Sequence, residues 1–255
     1  LTRTTFSIFA PKLLILQADV RLHVVVPCYN PPDGWEADLA ARFKDFQAFI
    51  ADLTDQVGLI VVNDGSPRNA KPENFERLKQ ALGSALQIVD YTENRGKGYA
   101  LRQGVAASGA DLLLVTDADF PYTFASMRRI VATLIEKGGI AAGRRDPDYY
   151  QKVPLFRRLL SKFLRWMLRN ILRQPIDDSQ CGLKGFDRAG KAVFLTTTID
   201  RFLFDLEFLM LANGKVPVIP VAVELREGVV FSKVGWKILA TEGRNFLTLL
   251  LQSKK

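Results

Sequence analysis

Four short apolar runs constrain this chain more than any other feature: HVVVP at 23–27, LIVV at 59–62, LQIVDY at 86–91 and LLLV at 112–115. All four are rich in branched aliphatic side chains, and LIVV and LLLV hold no polar residue, which is how buried strands read. Between them lie segments of helical period. One spans 36–53, with Leu39, Phe43, Phe46 and Ile50 near helical spacing; a polar one spans 72–82; a third spans 99–108. Strand, helix and strand repeated without a break predict an α/β fold, a mostly parallel central sheet with helices on both faces.

In such sheets ligands sit outside the carboxyl ends of the strands. Here those ends read PCYN (27–30), NDGS (63–66), ENRGK (93–97) and DAD (117–119), so four polar loops are expected along one edge. The last loop closes the segment LLLVTDADFP, where an oily run ends in Asp117 and Asp119. If the strand runs through them, its period of two puts both carboxylates on one side, able to reach one cation. If it stops before them, Asp and Pro mark a turn. A dinucleotide enzyme is not indicated: GKGYAL lacks the G-x-G-x-x-G spacing and does not follow the first strand, and there is no Walker A sequence.

With 255 residues, 48% of them hydrophobic and 24% charged, the chain is globular in composition and can bury a full core. Cys28 and Cys181 stand far apart with no C-x-x-C, which suggests neither a disulfide framework nor a zinc site. The single histidine, His23, sits in a strand and reads as structural, leaving no histidine for a metal cluster or a Ser/His triad. No apolar run reaches the length of a membrane span, and the N-terminal FSIFAPKLLIL is short and interrupted by Pro11 and Lys12.

The net charge of +8 is unevenly placed. Between 151 and 175 stand Lys152, Arg157, Arg158, Lys162, Arg165, Arg169 and Arg173, with no acid among them. At 155–174 a helix would put Arg158, Lys162, Arg165, Arg169 and Arg173 on one stripe and Phe156, Leu160, Phe163, Leu164, Met167 and Ile171 on the opposite face. Such a helix suits a membrane surface, or else packs its apolar face on the core and solvates its charges. Nucleic-acid binding would use the same charge, but leaves the edge-lining loops and paired aspartates without a role.

Taken together, PCYN (27–30), VVNDGSP (61–67), ENRGKGYALRQG (93–104), TDADF (116–120), AAGRR (141–145), DDSQCGLKGF (177–186) and FDLE (204–207) resemble, in order and spacing, the inverting glycosyltransferases of family 2. Within that family the chain looks most like the dolichyl-phosphate or polyprenyl-phosphate sugar synthases, especially the dolichyl-phosphate beta-glucosyltransferase type. The resemblance implies a GT-A fold: an N-terminal extension over 1–22 and one catalytic domain over 23–250. Residues 23–120 would be its nucleotide-binding half, and 121–250 its acceptor half, carrying the basic helix 155–174.

The resemblance also assigns residues. Pro27 and Tyr29 match the turn that packs on the nucleotide, and Val62 and Asp64 the positions that hold the base, with Asp64 accepting from its ring N–H. Lys97 joins the nucleotide-sugar site, and Asp117 and Ala118 match the ribose and diphosphate wall. Asp119 matches the metal ligand, and an oxygen-only donor set suits Mg²⁺ or Mn²⁺. Arg145, Lys184, Arg226 and Lys233 match basic positions around diphosphate and acceptor phosphate. Two departures stand out: Asn63 replaces the family's usual first Asp, and Pro121 takes a position where mannosyl enzymes can offer a further ligand.

The implied reaction is transfer of a hexose, glucose from UDP-glucose in preference to mannose from GDP-mannose, onto a polyprenyl or dolichyl phosphate. It would take place at the cytoplasmic face of a membrane that the protein touches through helix 155–174, with no nucleic-acid partner. Asp205 of FDLE stands where the family places its catalytic base; a phosphate acceptor, already an anion, needs no strong base. The alternative is a soluble cytoplasmic enzyme that glycosylates a sugar or glycan hydroxyl with Asp205 as base.

Overall fold

A computed structural model describes residues 20–145, 181–201 and 203–229. The first half runs β1 (Leu22–Cys28), α1 (Trp35–Phe49), β2 (Val57–Asp64), α2 (Pro72–Leu82), β3 (Leu86–Tyr91), α3 (Lys97–Ala107), β4 (Leu112–Val115) and α4 (Phe124–Lys137). The second adds β5 (Ile140–Arg145), β6 (Lys184–Phe186), α5 (Arg188–Phe194), α6 (Phe204–Ala212) and β7 (Val218–Val223). The expected α/β alternation is present, with α2 and β3 at the bounds the periodicity predicts.

The described strands form one seven-stranded sheet in the order β3-β2-β1-β4-β6-β5-β7. All neighbours are parallel except β6, which runs antiparallel to β4 and β5. Alternate residues of each strand feed two cores. Val24 and Val26 of β1 pack with Leu39, Phe43 and Phe46 of α1 and with Met127 and Ile130 of α4. Val25, between them, packs with Leu101 of α3 and Phe204 of α6. Both faces of β1, β2 and β4 are therefore dry, which is why those runs read as continuous rather than alternating, whereas β3 at the sheet edge has no buried residue.

The topology decides what reaches the ligand edge. The ends of β1, β2, β3, β4, β5 and β7 lie along one side of the sheet. Because β6 runs the other way, it is its first residue, Lys184, that lies there, in register with Val115 of β4 and Ala142 of β5.

Two local expectations need correction. Helix α1 stops at Phe49 rather than 53, because Ile50–Leu53 close a turn in which Leu53 N donates to Ile50 O at 2.8 Å. Strand β4 stops at Val115, before the acids. Asp117 to Phe120 instead form a turn, with Phe120 N donating to Asp117 O at 3.0 Å, so strand alternation does not orient the two carboxylates.

Candidate active site

The turn after β4 is held in an unusual shape. Phe120 is fully buried with φ 47°, and Pro121 follows it. A bulky residue rarely adopts positive φ, and the surroundings must hold it there. Arg226, just past β7, does so: its Nε donates to Phe120 O at 3.2 Å, its guanidinium to Asp119 O at 3.3 Å, and its backbone N to Pro121 O at 2.9 Å. Arg226 is thereby brought to the aspartate turn.

Asp117 accepts from Lys97 Nζ at 2.6 Å, an ion pair with the lysine mostly buried. Gly182 lies against it: a Cβ there would stand 3.2 Å from Asp117 Oδ2 and 3.6 Å from Lys97 Nζ. Gly182 N donates to the Tyr122 hydroxyl at 3.1 Å. Burial pushes the Tyr122 phenol well above its ordinary value, reinforced by Cys181 and opposed by the charge of Arg145 at the end of β5. Asp119 is exposed, and partial burial of its carboxyl together with the charge of Asp117 raises it above the usual carboxylate range.

Behind this edge lies a second pair. Lys184 Nζ donates to Asp205 Oδ1 at 2.7 Å, with only 1% of the lysine side chain and 9% of the aspartate side chain exposed. Burial raises Asp205, while Lys184 and then Lys97 pull it back. Burial also works to lower Lys97, but Asp117, Asp205 and Asp119 outweigh it, and the ammonium is held above its usual value. The site is thus an alternation of charges, each one close to its opposite.

Three of the expected site residues have side chains that are already engaged. Lys184 is buried against Asp205 and the Cys181 carbonyl, so it is no surface for an acceptor phosphate in this arrangement. The Val62 side chain is wholly buried against α3, which leaves its main chain to meet a base. Asp64, 3% exposed, already accepts from Tyr91 Oη at 2.9 Å, Asn94 Nδ2 at 2.7 Å, Arg95 N at 2.7 Å and Gly96 N at 2.9 Å. A carboxylate has about four lone-pair sites, so Asp64 in this arrangement organises the 91–96 loop. Of the remaining residues, Pro27 and Ala118 are half-buried at the edge and Tyr29 is 51% exposed. Lys233 and the helix at 155–174 lie outside the described residues.

The replacement at Asn63 has a local reason. Asn63 pairs in register with Asp90, donates to its Oδ1 at 2.8 Å, and accepts from Ser66 N at 3.1 Å. A carboxylate at 63 would face another. The glycines of ENRGKG have a use the motif does not announce: a Cβ at Gly96 would meet Asp200 O at 2.6 Å, and one at Gly98 would meet Ile199 O at 2.4 Å. They let 199–200 close on α3. Tyr122, Gly182, Asp200 and Glu207 are site or supporting residues that sequence reasoning passed over; Gly182 and Glu207 lay in motifs already singled out, DDSQCGLKGF and FDLE.

Among the described residues no three His, Cys, Asp or Glu side chains converge to hold a metal. Mg²⁺ is commonly held by one or two carboxylates plus substrate phosphates, and Asp119 with Asp117 fits that pattern.

A family model described as glycosyl transferase family 2 matches residues 23–198. The dolichyl-phosphate beta-glucosyltransferase of Drosophila melanogaster is 30% identical over 226 residues, covering 82% of this chain and 68% of its own length. That of Dictyostelium discoideum is 29% identical over 224 residues, covering 82% and 67%, and that of Homo sapiens 28% over 225 residues, covering 81% and 68%. Among solved structures, the mannosyltransferase PcManGT from Pyrobaculum calidifontis, in complex with GDP-Man and Mn²⁺, superposes with TM-score 0.50 at 19% identity, over 79% of this chain and 56% of that one. Mannosyl-3-phosphoglycerate synthase from Rubrobacter xylanophilus superposes with TM-score 0.58 at 12% identity, over 92% and 75%. An α/β sheet with its charged residues gathered at the ligand edge and a family match over residues 23–198 lead to one conclusion: the chain is a glycosyltransferase of family 2, with the GT-A fold.

Proposed function

We propose that this enzyme moves glucose from UDP-glucose to a polyprenyl phosphate such as dolichyl phosphate, with inversion, at the cytoplasmic face of a membrane. The observation that carries the reading is the convergence of Lys97, Asp117, Asp119 and Arg226 on the turn after β4. Positive charge fixed there suits a diphosphate leaving group, and the curated relatives named above act on dolichyl phosphate by name. Asp119, with Asp117 beside it, would hold Mg²⁺ or Mn²⁺, and such an ion would help neutralise charge on the departing diphosphate.

The chain's own residues do the rest. Lys97 keeps Asp117 in place and keeps a cation beside the diphosphate position. Arg226 holds the turn from which Asp119 projects. An acceptor phosphate oxygen needs no proton removed before it attacks the anomeric carbon, so the tie between Asp205 and Lys184 is no obstacle to transfer. The basic segment 155–174 is the proposed contact with the lipid surface. Among the described residues no helix is long and apolar enough to cross a membrane.

A second reading, transfer to a sugar hydroxyl in solution, draws on the burial that raises Asp205 and would make it the stronger base. One experiment separates the two. The purified chain is incubated with UDP-glucose or GDP-mannose, Mn²⁺ and a polyprenyl phosphate, and lipid-linked sugar is measured for the parent and for Asp205→Asn. The expectation is lipid-linked glucose from UDP-glucose, with substantial activity left in the variant. No lipid-linked sugar from either donor would overturn the proposal, and glucose passed instead to a sugar hydroxyl offered alongside would favour the second reading; complete loss in an Asp205→Asn variant that is still folded would make Asp205 a required base.

A further inference from the structure

Glu207 lies two residues past Asp205 on α6 and is 3% exposed, yet its carboxylate serves another segment. Its Oε2 accepts from Thr198 N at 2.9 Å and Ile199 N at 2.8 Å, and its Oε1 accepts from Thr198 Oγ1 at 2.7 Å. Three donors from two consecutive residues fix the backbone of that segment. The next carbonyl, that of Asp200, accepts from Gly98 N at 2.8 Å and Tyr99 N at 3.1 Å.

Those two N–H groups belong to the first turn of α3, which has no side-chain cap at Gly96. They need an acceptor from elsewhere, and the Asp200 carbonyl supplies it. From the second turn of α3, Arg102 reaches back to Ile199 O at 2.8 Å and pairs with the Asp200 carboxylate. The first residue of α3 is Lys97, whose ammonium holds Asp117. A continuous series of contacts therefore runs from the α6 carboxylate to the aspartate turn.

We infer that Glu207 is a positioning residue for sugar transfer: by clamping 198–199 it sets the Asp200 carbonyl on α3 and so fixes Lys97 against Asp117. The inference rests on the activity proposed above. Both oxygens of the carboxylate are engaged, and its charge strengthens all three hydrogen bonds. Gln can keep its oxygen on the two amides and turn its NH₂ to Thr198 Oγ1, which must then accept instead of donate, but the neutral amide is a weaker acceptor than the carboxylate, whose charge-assisted hydrogen bonds are roughly twice as strong.

The test uses the full chain with Glu207→Gln and Glu207→Asp. Three quantities are read at a temperature where all forms are folded: amide exchange at Gly98 and Tyr99, kcat and KM for UDP-glucose, and the thermal shift produced by UDP with Mn²⁺. For Glu207→Gln we expect exchange at those two amides to quicken about tenfold or more. Misplacing a positioned group typically costs on the order of tenfold to a hundredfold in rate, and here the loss should fall mainly on kcat, with partial recovery in Glu207→Asp. Unchanged exchange, or faster exchange with parental kcat and KM, would overturn the inference and leave Glu207 a fold-stabilising residue only. If Glu207→Gln does not fold, Arg102→Lys loosens the same segment and is judged by the same readouts. If the parent transfers no sugar, the activity reading fails by itself. Exchange and the UDP-induced shift then decide the inference, and a shift equal in parent and variant overturns it.

Discussion

Replacing Lys184 by Met removes one half of a buried ion pair and leaves the other half in place. The lysine side chain is 1% exposed, the aspartate side chain 9%, and Nζ stands 2.7 Å from Asp205 Oδ1. Breaking such a pair from one side costs about 3–5 kcal/mol, because the remaining charge is uncompensated. For a chain of this size that corresponds to a fall of about 6–20 °C in melting temperature. The loss should depend on pH. Burial already raises Asp205, and without Lys184 less opposes it, leaving Lys97 alone against the charge of Asp117. A group whose folded value is raised above its unfolded one favours the folded state while protonated, and that contribution disappears as pH rises through the folded value. Lys184→Met should therefore be closest to the parent in acid and fall further behind as pH rises from the ordinary aspartate value, near 3.8, through the raised one. The double variant Lys184→Met, Asp205→Leu, with no charge left to strand, should regain most of the stability. Thermal melts by circular dichroism across pH, for parent, single and double variants, provide the measurement. A single variant within about 1 kcal/mol of the parent at neutral pH would refute the reasoning, given the range for buried pairs. A deficit that shrinks as pH rises would also refute it.

Asn63→Asp places a carboxylate against Asp90 and removes the 2.8 Å amide donation; we expect a loss of about 1–3 kcal/mol, largest where both acids are ionised. Adding Asp90→Asn, which restores a donor across the pair, should recover most of it, and urea titrations of the three proteins check this. Asp119→Asn should leave the unliganded melt near that of the parent, since the side chain is exposed, while abolishing the extra stabilisation that UDP gains from Mn²⁺. A Mn²⁺-dependent shift that persists would remove Asp119 from the metal site.

Most of the sheet was legible because it is written locally. A strand buried on both faces must be apolar throughout, so 23–27, 59–62 and 112–115 declared themselves, and Pro72 marked the start of a polar helix. The end of β4 was less legible. LLLVTDADF reads equally as a strand continuing or as a turn, and the choice rests on Arg226 and its contacts with the Asp119 and Phe120 carbonyls, more than a hundred residues away in the chain. The partners of Asp64 and Lys184 were illegible for a related reason. A motif names a residue type, but not whether its hydrogen-bonding capacity is already consumed by Asn94, Arg95 and Gly96, or by Asp205.

By itself, then, the sequence determined the layered α/β architecture, the family, and the loops expected at the ligand edge, because hydrophobic period and strand-end chemistry are properties of neighbouring residues. Only the tertiary structure decided which charges meet. The reversed direction of β6 brings Lys184 to that edge and buries it on Asp205, and the close approach of 198–200 to α3 sets Lys97 on Asp117. Pairings of that kind depend on strand direction and on which segments close on one another, and no local stretch of sequence carries either.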